Sequence, residues 1–190
     1  GSIPNFGQSI VPSGAGTAEN PATSVMAGLF HSVVLRADGS MVAFGRNDDG
    51  QCNVPGDVGT PENPVVQIAA GGYHTVALLS DGSIDCWGLS NDGQCTVPGD
   101  VGTPANPVTQ VAAGRFFSVA LRADGTLSFW GLESANGGPG PVPSGIGTLE
   151  NPIAQIEPGA FHIAATMADG SVECWGRNVE GQCNVPADVG

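Results

Sequence analysis

The sequence predicts an all-β fold, a β-propeller of four-stranded blades. It is written as four repeats of about 43 residues, which either close as a small ring or are completed by homodimerisation. Three observations carry this. Asn-Pro recurs at 20–21, 63–64, 106–107 and 151–152, and Asp-Gly at 38–39, 81–82, 124–125 and 169–170, so the spacings run 43, 43 and 45. Between these marks lie only short apolar or alternating runs, with no sustained helical period. A unit of roughly 40 residues holding four short strands is the size of a propeller blade, and one blade cannot bury both of its faces alone.

The elements follow in chain order. Residues 1–16 open on a Gly-Ser that reads as a tag scar, then run FGQSIVPSG, which matches the end of a repeat. The stretch is therefore an extra terminal blade strand over Gln8 to Pro12, duplicating Gln182 to Pro186 at the other end. The repeats occupy 17–58, 59–101, 102–146 and 147–190, together one propeller domain. In the second, Val65 to Ala70 is a first strand after Pro64, and Thr75 to Leu79 a second. Ser80-Asp81-Gly82 is a tight turn, because Asp-Gly accepts the positive φ such turns demand. Ile84 to Trp87 alternates as a third strand, Ile84 and Cys86 on one face, Asp85 and Trp87 on the other. Asn91-Asp92-Gly93 turns again, and Gln94 to Val97 is a fourth strand that Pro98 stops. The third repeat carries two extra residues between Leu132 and Pro141.

Composition narrows the function. Eighteen acids face five arginines and no lysine, a formal charge of -13. That field repels phosphate backbones and anionic membranes and favours a basic protein partner, so nucleic acid and membrane are disfavoured as partners. No apolar run is long enough for a spanning helix. The acidic, lysine-free, Gly/Ser/Thr-rich composition leans towards an extracellular setting.

The repeated residues carry a resemblance. An AGxxH pattern (Gly71, His74), a VAL run, Asp81-Gly82, Trp87-Gly88 after a Cys, and Gly93-Gln94 recur along nearly the whole chain. The pattern resembles the regulator of chromosome condensation repeat. The short unit ending GQCTVP is closer to the bacterial branch, which includes propeller-type β-lactamase inhibitory proteins. The resemblance implies a seven-bladed ring of four-stranded blades, and this chain departs from it in holding only four units. A closed small ring, a ring or stack completed by a second copy, and a piece of a longer protein all fit; the homodimer is favoured. The duplicated terminal strand belongs to this question, since an open edge invites pairing. The chromatin and small-GTPase roles of eukaryotic relatives lack the basic tail and positive field they would need.

Repeat register sorts the individual positions. His31, His74 and His162 share a position with Phe117, which excludes a common metal or catalytic role and points to a ring nitrogen satisfying backbone. Trp87, Trp130 and Trp175 share theirs with Phe44 and are inter-blade packing. Cys52, Cys95 and Cys183 stand in GQC, and Cys86 and Cys174 nine residues before two of them. If the third and fourth strands are antiparallel neighbours, Cys86–Cys95 and Cys174–Cys183 lie within disulfide reach. Buried thiols are the other reading, because Cys52 stands in the same slot opposite Ala43. No CxxC or HxxxH cluster suggests zinc, and Asn47 to Gly50 is a plain turn rather than a calcium loop. No catalytic residues, metal or cofactor are indicated.

Phe30, Tyr73, Phe116 and Phe161 occupy one position, just after the Gly and before the His, in the loop between first and second strands. With Arg115 they are the candidate partner-binding residues, an aromatic arc on one face of the propeller. In the β-lactamase inhibitors the matching loop position contacts the enzyme. Structural packing is the competing explanation. The function expected is non-catalytic protein–protein interaction through this face. The alternatives are a self-assembling propeller unit and an enzyme inhibitor.

Overall fold

The computed structural model describes residues 5–133 and 138–186. Gly1-Ser2 and part of the third repeat's extended turn lie outside them. Among the described residues twelve strands form four sheets. Blade one holds β1 (Ala22–Ala27), β2 (His31–Arg36) and β3 (Met41–Gly45). Blade two holds β4 (Val65–Ala70), β5 (His74–Leu79) and β6 (Ile84–Gly88). Blade three holds β7 (Val108–Ala113), β8 (Phe117–Arg122) and β9 (Leu127–Gly131), and blade four β10 (Ile153–Pro158), β11 (His162–Met167) and β12 (Val172–Gly176). Each sheet is an antiparallel meander, with the same irregularity in its first pairing, for example between Val65 and Gln67.

The expected fourth strand does not join the ladder; each described sheet has three strands. Its backbone groups are used elsewhere. The Gln94 carbonyl accepts the Ser118 hydroxyl of the next blade at 2.8 Å, and Thr96 N–H turns back to Gly93 O. Gln94 Oε1 meanwhile accepts Asp92 N–H, closing the turn. The segment is thus a wedge between blades. Gln8 to Pro12 is likewise no strand but lies against blade one, with the Gln8 carbonyl accepting Ser32 Oγ–H at 3.0 Å.

Alternation along each middle strand sends opposite faces to opposite neighbours. Val33 and Leu35 meet Ile68, Ala77 and Leu79 between blades one and two. Val76 and Leu78 meet Val111 and Ala120 between blades two and three. Val119 and Leu121 meet Ile156, Ile163, Ala165 and Met167 between three and four. Trp87, Trp130 and Trp175 are buried, one in each seam. Among the described residues these are the apolar clusters, and none joins blade four to blade one. The arrangement is an open, unclosed arc of propeller blades. Among the described residues no helix is long and apolar enough to cross a membrane.

Candidate functional site

The loops between first and second strands gather on one face. The glycine ending each third strand holds them there. Gly131 has φ of 105°, and a Cβ on it would sit 2.6 Å from the Phe116 carbonyl, so a side chain is excluded. The residue after this glycine then donates its N–H to the aromatic residue's carbonyl. Arg46 bonds Phe30 O, Leu89 Tyr73 O, Leu132 Phe116 O and Arg177 Phe161 O, each at 2.9 Å.

The structure brings Phe30, Tyr73 and Phe116 together as a ladder, and Phe161 is joined to it only through Arg115. Phe6 meets Phe30 edge-on at 5.7 Å, Phe30 meets Tyr73 at 5.6 Å, and Tyr73 stacks on Phe116 at 5.4 Å. Arginines lie over the rings. Arg46 covers Phe6, Phe30 and Tyr73, and Arg115 covers Tyr73, Phe116 and Phe161. Arg177 covers Phe161 from the far side at 5.4 Å. Each contact lies in the range where a cation is attracted to a ring face. Phe30, Tyr73, Phe116 and Phe161 are all half-buried, neither free-standing nor core.

Phe6, Arg46 and Arg177 were missed in the sequence because they come from other register positions. The signal available was the Arg following the strand-end Gly, in FGR and WGR. Three of the five arginines of a chain at -13 stand on this one face. Arg46 is paired with Asp48 at 2.9 Å; among the described residues Arg115 and Arg177 have no carboxylate partner. Inside the arc, a cavity of about 250 Å³ runs past Gly28, Gly71, Gly114, Gly159 and Arg115.

His31 and His74 do not satisfy backbone with Nε2; they cross the seams, and the His162 ring does neither. His31 Nε2 lies 3.0 Å from Thr75 Oγ1, and His74 Nε2 lies 2.8 Å from Ser118 Oγ. Each hydroxyl gives its only hydrogen to a carbonyl, Thr75 to Gln51 O and Ser118 to Gln94 O. Nε2 must therefore be the protonated nitrogen of a neutral ring. Burial holds both rings neutral, with pKa lowered from 6.5 to about 4. At the position of this pair in the next seam stand Phe117 and Ile163, an apolar pair in register with the polar ones.

At the opposite ends of the middle strands, Asp38, Asp81, Asp124 and Asp169 cap their turns. Each accepts from a Ser or Thr hydroxyl and its N–H two residues on, and this keeps the carboxyls below their ordinary range. Cys86 is bonded to Cys95 and Cys174 to Cys183, tying each wedge to its own blade; Cys52 is free. Among the described residues no group of His, Cys, Asp and Glu could hold a metal ion.

His31, His74, Thr75 and Ser118 are committed to joining blades, and the chain is a propeller-repeat protein of the interaction-capable kind. It belongs to the regulator of chromosome condensation (RCC1) repeat family, which it matches over residues 22–51, 65–94 and 108–137 and again over 38–78. No curated protein matches it significantly. Among solved structures it is similar to the ectodomain of the Physcomitrella patens receptor kinase CR4. The two are 26% identical with a TM-score of 0.65, over 83% of this chain and 39% of that one. It is similar to human WBSCR16 at 23% identity and TM-score 0.69, over 89% and 51%. It is also similar to yeast RCC1 (Prp20), solved bound to Kap60, at 22% and 0.67, over 90% and 46%. The chain therefore spans about half, or less, of the length of these proteins.

Proposed function

We propose that the chain is a self-assembling propeller unit, a half-propeller completed by further blades that a second copy supplies as a homodimer. One observation carries this: four blades share three apolar seams, so two blade faces are left over. Val25, on the innermost strand of blade one, is 62% exposed, whereas its register mates Ile68, Val111 and Ile156 are at most 2% exposed. Light scattering after size exclusion tests it. A mass near twice 19.0 kDa is expected, and a mass of 19.0 kDa at every concentration overturns it.

A second reading keeps the aromatic ladder as a docking face for a different protein, an enzyme bound in the manner of the β-lactamase inhibitors being one case. Arg115 and Arg177 beside Phe161, which have no carboxylate partner among the described residues, favour it, as aromatic and Arg side chains dominate binding hot spots. Tyr73→Ala with Phe116→Ala should leave the fold intact and abolish capture of such a partner. Unfolding of the double variant instead assigns the rings to packing. We place the protein outside the cell, a reading supported by its likeness to a receptor-kinase ectodomain and by its paired cysteines.

A further inference from the structure

We infer that the second copy docks head to tail, blade four of one chain on blade one of the next, and that residues 5–16 are a removable cover over that seam. This rests on the half-propeller reading and names its contacts. The internal seams repeat the same polar joints. Gln67 Oε1 accepts Val111 N–H of the next blade at 2.8 Å. Gln110 both accepts from Ile156 N–H at 2.9 Å and donates to Ile156 O at 2.7 Å. His31 and His74 reach the next blade's Thr75 and Ser118.

At the open ends the two halves of such a seam stand apart. Gln155 is in register with Gln67 and Gln110, but it is exposed and its amide reaches only Glu157 of its own strand, at 3.2 Å. Its backbone counterpart by register is Val25, the exposed residue of β1. The ring of His162 is half-buried and makes no hydrogen bond among the described residues. The hydroxyl in register for it is Ser32. The third seam shows that the pair varies as a unit, since Phe117 faces Ile163. His162 and Ser32 are the matching polar halves. A groove of about 100 Å³ on the outer face of blade four, lined by Gln155, Glu157, Ala164, Ala165, Thr166 and Val172, lies where the incoming β1 would pack.

Blade one is not bare. Gln8 O accepts Ser32 Oγ–H as Gln51 O and Gln94 O accept in the internal seams, the Arg36 guanidinium donates to Gly14 O, and Ala15 is buried. Residues 5–16 thus hold the slot that a preceding blade's wedge would fill. Blade four carries its own wedge, Gln182 to Pro186, tied down by Cys174–Cys183. Gln182 is exposed where Gln51 and Gln94 are fully buried. The slot takes one wedge. The bridged one cannot leave its blade, so the unbridged residues 5–16 must yield. Two such seams, related by a two-fold axis, close two copies into a ring of eight blades, within the range propellers use.

The test measures self-association by sedimentation for the full chain and for a chain lacking residues 1–16. The deletion should tighten association about tenfold or more. Adding Gln155→Ala and His162→Ala to the shortened chain should weaken it by a similar factor without moving the thermal midpoint, because neither side chain is in a seam of the single chain. A synthetic peptide of residues 1–16, added in excess to the full chain, should also weaken association; it needs no variant to fold. Association that ignores all three changes overturns this seam while leaving the half-propeller reading standing. A shortened chain that stays monomeric at every concentration, whether open or closed on itself, overturns both.

Discussion

Thr75 has one hydroxyl hydrogen and gives it to Gln51 O, so it can only accept from His31. Replacing His31 with Phe alone leaves that lone pair buried and unpaired, at a cost of about 1–3 kcal/mol. Adding Thr75→Ile copies the Phe117–Ile163 pair and should recover much of the loss, which a double-mutant cycle by denaturant unfolding would measure. The same rings set a pH window. The unfolded chain takes up protons below 6.5, whereas burial delays the folded rings to about 4. Stability is therefore full above 6.5 and falls as pH drops through that window, on the order of 3 kcal/mol per ring. Urea midpoints at pH 7 and pH 4.5 would show it, and the doubly replaced chain should lose less. At this scale the sequence told that His and Phe share a role, but not what faced them. The partner lies 44 residues away, and only the repeat register, applied to the residue after each His, would have revealed it.

The wedges are the element least legible in the sequence. Gln94 to Val97 alternates like a strand, and no local pattern says whether its carbonyls bond its own blade or the next. The strands themselves were legible, because turns fixed their ends and alternation their faces. The ladder was half legible. The four aromatics share one register, whereas Phe6, Arg46 and Arg177 reach it from elsewhere in the repeat. Between third strand and wedge, the Cys–Cys links close short loops, and Cys95→Ala should lower stability by about 2–3 kcal/mol under oxidising conditions and far less under reductant. Alkylation of the folded, unreduced protein should label Cys52 alone, and labelling of Cys86 or Cys174 would count against the bridges.

For the molecule as a whole, charge opposes what the seams favour. Each copy brings a net charge of -13, so joining two must overcome their repulsion. Screening shortens that repulsion to within a few ångströms at high salt. Self-association should therefore tighten as sodium chloride rises from about 0.05 M to 0.5 M, where the Debye length shrinks several-fold. A weakening across that range in sedimentation would point instead to a contact made by opposite charges. Blade number follows from the period alone, whereas the open seam does not, because a closed small ring, a ring shared by two copies and a piece of a longer protein all fit the same four repeats. The cover over blade one was visible only as a duplicated VP segment, since its displacement depends on which of two wedges carries a bridge.

The backbone links between neighbouring loops all run one way: Leu29 N–H to Gly71 O, Gly72 N–H to Gly114 O, Arg115 N–H to Ala160 O. Each donor lies upstream of its acceptor, so the arc has a direction, as a nucleic-acid strand does. Like ends cannot mate, and in the proposed ring each copy adds its four blades in the same sense. A copy altered only on blade four can still receive a neighbour but cannot pass one on, and so acts as a chain terminator. Small amounts of it mixed with the native protein would cap assemblies in proportion to its dose.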